Sequence, residues 1–485
     1  MNTQFDPRNI SMMMDLYELT MANGYFMENS QNKRVAFDVF FRRNPDGAGF
    51  AIFAGLEQVL EYIEQMHFAE EDIAYFRSLN LFSEDFLAYL KDFRFKGDIY
   101  AFPEGTIMYP NEPIMTIVAP LVDAQLIETA ILAQINHQSL VATKARRIVR
   151  AAQGRAVSDF GARRAHNMDA AVYGSRAAYI GGVSGTATVL AGQMFGIPVG
   201  GTMAHSWVMY FRDELKAFRT YAKMYPNNCI LLADTYDILG SGVPHAIQVF
   251  QEMKDAGMLN GTYGIRLDSG DLAYKSKEAR KMMDDAGFTD AKIVVSNSLD
   301  EYTINSILKQ GGCIDSFGVG ERLVTAKSDP VFGAVYKLAG VETDGVFSPR
   351  IKVSDTLEKI TNPGLKDVYR IYDESGHAIA DLIAKKGETI DLSSPFRYVD
   401  PEQYWKNRKF TNCTAKMLQE PVVVDGKRIS EKKSLKEIQD YVKKQLETEI
   451  WPEEQRFENP HKHYLDMTPD YFEMKMNLLH QLQTD

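Results

Sequence analysis

Two short segments carry a cation and carboxylates in a pattern suited to a phosphorylated sugar. In RLDSGD, Arg266 supplies a fixed positive charge and Asp268 can accept hydrogen bonds from ribose hydroxyls. The alternative, a helix N-cap, explains Asp271 but not the combination of Arg266 with Asp268. In LLADTYD, Asp234 can hold Mg²⁺ through water, whereas capping of a helix is the simpler explanation of Asp237.

A glycine-rich segment supplies candidate phosphate ligands. SFGVGE contains Gly318 and Gly320, whose backbone amides can surround a phosphate group. Ser296 and Asn297 follow the preceding predicted strand and add neutral donors. These residues predict a binding site for a sugar phosphate.

Two arginines and two aromatic residues add to this set. Arg163 and Arg164 follow a predicted strand end, and we expect one to face a diphosphate and the other to be a solvated charge. Phe160 and Tyr17 are candidates to enclose an aromatic ring. Because an aromatic residue of an amphipathic helix is more often part of the core, the residue type alone does not select Tyr17.

A histidine stands at the end of a glycine-rich stretch, residues 181–207. We predict a strand of apolar residues and glycine that ends at Thr202 and positions His205 where α/β proteins place catalytic groups. The alternative is that His205 is an ordinary first-turn helix residue. The segment 196–198, Gly-Ile-Pro, is predicted to be a turn between helix and strand.

Several common sites are excluded by their missing motifs. The chain has no GxxxxGK[ST] and no HExxH, and its one partial GxGxxG match has Leu323 at the third glycine. Cys229, Cys313 and Cys413 lie far apart with no CxxC, so neither a disulfide framework nor a zinc site is predicted.

The candidate residues require a parallel sheet to bring them together. From about residue 154, short apolar runs end in polar clusters and each is followed by a helical pattern, as parallel strands with helical crossovers require. We favour a (β/α) barrel because six strand ends carry functional side chains, and an open doubly wound sheet is the alternative. The predicted strand ends are SDFG, GGT, LLAD, GIRLD, IVVSN and SFGVG.

Length and composition limit the classes of partner. At 485 residues we expect more than one domain, namely residues 1–120, 121–340 and 341–485. The net charge of −11 argues against nucleic acid or an anionic membrane as the main partner. Without a signal-like N-terminus or a membrane-spanning apolar run, we expect a cytoplasmic protein.

Taken together, the motifs resemble those of nicotinate phosphoribosyltransferases, type II phosphoribosyltransferases of NAD biosynthesis. The resemblance extends over nearly the whole chain and rests on number, order and spacing. It implies an irregular (β/α) barrel with an N-terminal α/β sandwich domain, and a C-terminal extension packing on that domain. It also implies a homodimer with the active site at the interface. The matching segments are DLYELTMA, FDVFFR, ETAILAQINHQS, SDFGARRAH, GGVSGTATVLAG, GTMAHS, ADTYD, RLDSGDL, SNSLDE, and GVGERLVT with VYKL.

The resemblance also implies a role for individual residues. The histidine matching His205 is phosphorylated by ATP, and the position matching Thr325 is associated with ATP. Mg²⁺ is the implied cofactor, with Asp234 as its candidate ligand, and Asp268 matches a ribose contact. The remaining implied contacts are Tyr17, Phe160, Thr202, Ala187 and Arg266 for nicotinate, Arg163 for diphosphate, and Ser296, Asn297, Gly318 and Gly320 for the 5′-phosphate.

Ala187 predicts which base is used. Related nicotinamide phosphoribosyltransferases look like GTDT where this chain has GTAT. An aspartate there would repel a carboxylate, so Ala187 favours nicotinate. The competing hypotheses are a nicotinamide phosphoribosyltransferase and a non-catalytic nucleotide-binding relative.

Overall fold

The computed structural model describes residues 9–354, 359–392, 396–401, 403, 405 and 407–484. The chain divides into two compact units, residues 141–330 as one and residues 1–140 with 331–485 as the other. The three-domain division at residues 120 and 340 stays a prediction. Within the described residues, no helix is long and apolar enough to cross a membrane.

The N-terminal part of the chain contains short helices and the strands of an antiparallel sheet. Its first α-helix begins at Leu16 with Asp15 as the N-cap, and the Asp15 N–H donates to Glu18 Oε1 at 3.2 Å in a capping box. The elements are helices α1 (Leu16–Met27), α2 (Leu56–Gln65), α3 (Glu70–Ser78), α4 (Glu84–Lys91) and α5 (Leu121–Gln125), and strands β1 (Arg34–Phe40), β2 (Ala51–Ile52), β3 (Asp98–Ala101), β4 (Ile107–Met108) and β5 (Met115–Pro120).

The middle of the chain alternates strands with helices. Helix α6 (Glu128–Ala151) leads into this part. The helices that follow are α7 (Met168–Ile180), α8 (Val189–Phe195), α9 (His205–Phe211), α10 (Glu214–Met224), α11 (Val243–Asp255), α12 (Leu272–Asp285), α13 (Glu301–Lys309) and α14 (Glu321–Val324). The strands are β6 (Ala156–Asp159), β7 (Gly185–Thr186), β8 (Asn228–Leu232), β9 (Thr262–Leu267), β10 (Lys292–Val295) and β11 (Ser316–Val319).

These six strands form one parallel sheet in the order β7-β6-β11-β10-β9-β8. Apolar side chains of the central strands are buried, among them Ile265, Ile293 and Phe317. The predicted α/β fold class is confirmed, with a curled parallel sheet of the half-barrel kind. All six strands end at one edge, which we call the C-terminal edge.

One predicted strand is wrong. Residues 200–204 form no strand, and the segment joins the sheet only through a bridge between Val199 and Thr186. The edge strand is instead the two-residue β7, whose Thr186 N–H donates to Pro198 O at 3.0 Å. The predicted turn is confirmed, since Gly196 ends α8 with φ 69° in the left-handed region.

The C-terminal part of the chain completes the N-terminal sheet. In the unit formed by the two ends of the chain, a seven-stranded sheet has the order β13-β12-β1-β5-β3-β19-β20. A second sheet of this unit has the order β17-β16-β21-β15-β14-β18. The elements are β12 (Val335–Thr343), β13 (Val346–Pro349), β14 (Lys366–Tyr372), β15 (Ala378–Lys385), β16 (Phe396–Val399), β17 (Asn407–Phe410), β18 (Thr414–Met417), β19 (Glu420–Val424), β20 (Lys427–Arg428), α15 (Leu435–Thr448), β21 (Leu465–Met467) and α16 (Pro469–Thr484).

Candidate active site

Most of the site residues predicted in the middle unit lie at the C-terminal edge of the parallel sheet. Because parallel strands end at the same edge, residues far apart in sequence meet there. The residues at this edge and in the loops after it are Phe160 after β6, Ala187 after β7, Asp234 after β8, Arg266 and Asp268 at β9, Ser296 and Asn297 after β10, and Gly318 and Gly320 at β11.

Arg266 is a half-buried cation held from one side. Its Nη1 donates to Thr202 Oγ1 at 2.6 Å and its Nη2 donates to Met203 O at 2.7 Å. Its Nε is buried without a hydrogen-bond partner among the described residues. Burial lowers the pKa of Arg266, the charges of Asp268 and Asp234 oppose this shift, and the charge of Arg163 adds to it. Among the described residues, the guanidinium makes no direct contact with a carboxylate, so it suits an anionic ligand.

Asp234 and Asp268 are fixed next to each other. Asp234 Oδ2 accepts hydrogen bonds from the Asp268 N–H at 3.1 Å and from Ser269 Oγ at 2.6 Å. Asp268 Oδ1 accepts a short hydrogen bond from Ser296 Oγ. Asp234 Oδ1 is buried and has no hydrogen-bond partner in the described part of the chain. The site thus holds one carboxylate oxygen that lacks the partner a buried polar atom normally has.

His205 faces both carboxylates. It is the first residue of α9, so the simpler helix-start interpretation is correct as far as local structure goes. Its Nε2 lies 3.9 Å from Asp234 Oδ1 and 3.8 Å from Asp268 Oδ2. Its Nδ1 lies 3.1 Å from Thr235 Oγ1, and its side chain is 40% exposed. A ring nitrogen accessible to solvent between two carboxylates can act as a nucleophile toward a cation-bound phosphate.

The loop after β10 is strained where the 5′-phosphate was predicted to bind. Asn297 and Ser298 both have positive φ angles, 98° and 47°, which non-glycine residues rarely adopt. Asp300, the N-cap of α13, forms a short ion pair with Arg322 of α14. This pair joins the two loops that carry Asn297 and Gly320. Burial raises the pKa of Asp300, but hydrogen bonds from the Thr303 N–H and hydroxyl, together with Arg322, hold it below its usual value.

Gly318 makes room for Phe160. A Cβ atom at Gly318 would lie 2.3 Å from Phe160 Cε2 and 2.4 Å from Phe160 Cδ2, so no larger residue fits while the ring keeps its place. The Phe160 N–H donates to Val319 O at 2.8 Å, which fixes the backbone beside it. Gly318 therefore sets the position of the Phe160 ring, whatever its amide contributes to phosphate binding.

Because the family resemblance implies that Phe160 contacts nicotinate, we expect the Gly318→Ala substitution to raise the KM for nicotinate about 3- to 10-fold. The new methyl group displaces the Phe160 ring, and an aromatic pair contributes about 0.5–1.5 kcal/mol. Steady-state kinetics measure the effect. Gly200→Ala is the matched control, because a Cβ there meets no atom within 4 Å. An unchanged KM in Gly318→Ala would contradict this role.

Comparison with known proteins identifies the family. Sequence models of the nicotinate phosphoribosyltransferase (NAPRTase) N-terminal domain, family and C-terminal domain match residues 12–136, 155–367 and 365–475. The nicotinate phosphoribosyltransferase of Bacillus subtilis is 44% identical over 481 residues, 99% of this chain and 97% of that protein. The chain belongs to the nicotinate phosphoribosyltransferase family.

Two further relatives agree with this family. Nicotinate phosphoribosyltransferase pncB2 of Mycobacterium tuberculosis is 43% identical over 380 residues, 78% of this chain and 79% of that protein. The crystal structure of human nicotinic acid phosphoribosyltransferase superposes with a TM-score of 0.84 at 25% identity, covering 97% of this chain and 100% of that one. The resemblance inferred from the motifs is confirmed.

The other residues implied by the family resemblance lie in varied surroundings. Ala187 and Arg163 are exposed, and Thr325 Oγ1 donates to Glu321 O at 2.7 Å. Tyr17 belongs to the other unit, where its side chain is 44% exposed. Partial burial and the nearby Glu128 carboxylate raise the pKa of Tyr17. The roles of these residues in the nicotinate phosphoribosyltransferase family stay predictions for this chain.

Capping explains the two remaining aspartates. Asp237 Oδ1 accepts hydrogen bonds from the Leu239 and Gly240 amides at 3.2 Å and 3.0 Å, and Asp271 Oδ1 accepts one from the Tyr274 amide at 3.0 Å. Within the described chain, no group of three or more His, Cys, Asp or Glu side chains could hold a metal ion. A cation at Asp234 would therefore need ligands from a substrate.

Sequence reasoning missed one residue that joins several of these segments. Asp159 ends β6 and is 2% exposed. The sequence shows it only as part of a strand end, because its partners Ser175 and Thr186 are distant along the chain. An aspartate at a predicted strand end, followed within five residues by a glycine and two arginines, is the sequence signal that could have found it.

Proposed function

We propose that this chain transfers the phosphoribosyl group of 5-phosphoribosyl-1-diphosphate to nicotinate, forming nicotinate mononucleotide and diphosphate in the salvage branch of NAD biosynthesis. The observation that carries the proposal is Arg266, a half-buried guanidinium fixed by Thr202 and Met203 beside Asp268. This arrangement suits an aromatic carboxylate next to a ribose. The names of the relatives support the same substrates.

The transfer needs no general base, because the pyridine nitrogen already carries a lone pair. That nitrogen attacks C1 of the ribose as the bond to diphosphate breaks, through an oxocarbenium-like state. Asp268, oriented by Ser296, accepts hydrogen bonds from the ribose hydroxyls. Arg163 offsets the charge that develops on the leaving diphosphate, and Arg266 binds the nicotinate carboxylate. Phe160 and Tyr17 are proposed to enclose the ring.

The phosphate groups bind at the loops after β10 and β11. We assign the 5′-phosphate to Asn297, Gly318 and Gly320, because the Ser296 N–H donates to Leu267 O at 3.0 Å and its hydroxyl donates to Asp268. The positive φ angles of Asn297 and Ser298 direct backbone amides in a way that suits an anion.

ATP hydrolysis is proposed to act through His205. If the proton sits on Nδ1, it is donated to Thr235 Oγ1, and the lone pair of Nε2 is left free to attack the γ-phosphorus of ATP. The P–O bond to ADP breaks as the P–N bond forms, and water later hydrolyses the phosphohistidine. We propose that the phosphorylated state favours substrate binding and closure, and that Thr325 contributes to the ATP site.

Mg²⁺ fits this arrangement as a cofactor shared with the substrates. Mg²⁺ is usually held by one or two carboxylates together with substrate phosphates. Asp234 Oδ1, buried without a hydrogen-bond partner among the described residues, and Asp268 Oδ2 would hold the ion. When bound, it would offset the negative charge of the phosphate groups.

A homodimer with the site at its interface is also proposed. The first turns of helix α1, with Met13 just before the helix, expose apolar side chains on turns that also carry Tyr17. The exposed residues are Met13, Leu16, Tyr17 and Met21, with exposures of 54%, 51%, 44% and 40%. Such a face normally has a partner, and a second copy would bring Tyr17 to a site. Sedimentation equilibrium measures the oligomeric state, and a monomer at assay concentrations would contradict the proposed homodimer.

We expect Ala187→Asp to shift base preference from nicotinate toward nicotinamide. A carboxylate near the nicotinate carboxylate costs about 1–2 kcal/mol at an exposed position, or about tenfold in kcat/KM. Ala187→Asn is the matched control, because it adds the same volume without charge. Assays with both bases measure the ratio. An aspartate variant with the wild-type ratio would refute this account of specificity, and a wild-type preference for nicotinamide would refute the proposed substrate.

A further inference from the structure

Asp159 is a buried carboxylate that is hydrogen-bonded to two segments of the proposed site and to helix α7. Its Oδ1 accepts from the Gly161 N–H at 2.8 Å. Its Oδ2 accepts from Ser175 Oγ at 2.7 Å and from Thr186 Oγ1 at 2.9 Å. Its main-chain oxygen accepts from the Ala187 N–H at 2.8 Å. One residue thus contacts two loops and helix α7.

The two loops are those proposed to bind the base and the diphosphate. Gly161 lies between Phe160 and Arg163, so the bond to Gly161 N–H fixes the start of that turn. The turn is tightly packed, because a Cβ atom at Gly161 would lie 2.7 Å from Val324 Cβ. On the other side, Thr186 Oγ1 also accepts from the Thr188 N–H at 3.0 Å and thereby fixes both neighbours of Ala187.

A purely structural role would predict bonds to the strands beside β6. Of the three carboxylate bonds, only the one from Thr186 Oγ1 comes from such a strand, β7, whereas the other two come from Gly161 in the turn after β6 and from Ser175 of α7. A buried carboxylate is costly unless its bonds are all made, so these three partners are held firmly. The bonds of Asp159 therefore fix the positions of Phe160 and Ala187 relative to β6.

We propose that Asp159 is a positioning residue of the transfer reaction, which sets the separation of Phe160 from Ala187 and directs Arg163. The proposal rests on the proposed function. The bonds of Asp159 to Thr186 and to Gly161 should have different effects on substrate binding. The Thr186 bond fixes only the base side, whereas the Gly161 bond fixes both the base and the diphosphate contacts.

Three variants test this scheme. In Asp159→Ala, we expect the KM values for nicotinate and for 5-phosphoribosyl-1-diphosphate each to rise about tenfold or more, since small displacements of substrate contacts cost up to about 100-fold. In Thr186→Val, which removes the hydroxyl's bonds to Asp159, Ser175 and the Thr188 N–H at similar volume, we expect only the KM for nicotinate to rise. In Asp159→Asn, the amide oxygen can still accept from Gly161 and the hydroxyls can reverse, so both KM values should return to within about threefold of wild type.

Binding of ribose 5-phosphate, measured by calorimetry, separates positioning from folding. The loops proposed for the 5′-phosphate make no bond to Asp159, so its Kd should stay within about twofold in all three variants. Equal losses of ribose 5-phosphate and nicotinate binding would overturn the proposal, as would unchanged KM values in Asp159→Ala. If Asp159→Ala fails to fold, a Thr186→Val variant with both KM values unchanged, or both raised alike, would overturn it. A wild-type protein that forms no nicotinate mononucleotide would instead contradict the proposed function.

Discussion

The His205→Ala variant is expected to hydrolyse ATP at least about 10³-fold more slowly than wild type, because loss of a nucleophile typically costs that much or more. Nicotinate mononucleotide synthesis should continue at a reduced rate that no longer responds to ATP. The geometry gives the reason: Nε2 lies between Asp234 and Asp268, and Nδ1 has Thr235 as its partner. Measuring ADP and nicotinate mononucleotide in one reaction gives their ratio.

A control histidine is available in the same unit. His245 Nδ1 lies 2.8 Å from Glu214 Oε2, and neither residue belongs to the proposed site. His245→Gln should keep the wild-type ratio of ADP to nucleotide. Coupling that survives in His205→Ala would exclude His205 as the phosphorylated residue.

Replacing Arg266 is expected to have the second large effect. Arg266→Ala should raise the KM for nicotinate by about 30-fold to more than about 10³-fold, because truncating a buried charge pair costs about 2–5 kcal/mol. Arg266→Lys should recover only part of this loss, since an ammonium cannot reproduce the planar fork held by Thr202 and Met203.

Nicotinamide provides the internal comparison for Arg266. Nicotinamide lacks the carboxylate, and wild type is expected to use it less well than nicotinate. The Arg266→Ala substitution should therefore lower kcat/KM for nicotinamide much less than it lowers kcat/KM for nicotinate. Circular dichroism checks that the variant is folded. Equal losses for both bases would contradict a carboxylate contact and would indicate that Arg266 supports the backbone of residues 202–203.

The sequence predicted those features of the fold and the site that depend on residues close together in the chain. Strands β8 to β11 are continuous apolar runs followed by polar residues, so their ends were predicted together with Asp234, Arg266 and Ser296. Caps such as Asp237 and Asp271 were predicted for the same reason, since each bonds amides two or three residues away.

Features that depend on tertiary contacts could not be predicted in this way. Strand β7 is two residues long and is defined by its tertiary pairing with β6, so the sequence pattern instead favoured a strand of apolar residues and glycine that ends at Thr202. The pairing of β19 with β3 joins residues more than 300 positions apart. The steric role of Gly318 and the bonds of Asp159 likewise require coordinates.

The most direct test of the central claim is phosphate on His205. After incubation with ATP and Mg²⁺, peptide mass spectrometry under alkaline conditions should locate one acid-labile phosphoryl group on the peptide that contains His205. Adding nicotinate and 5-phosphoribosyl-1-diphosphate should discharge it as nicotinate mononucleotide forms. A peptide that stays unmodified while the enzyme hydrolyses ATP during nucleotide synthesis would contradict the account.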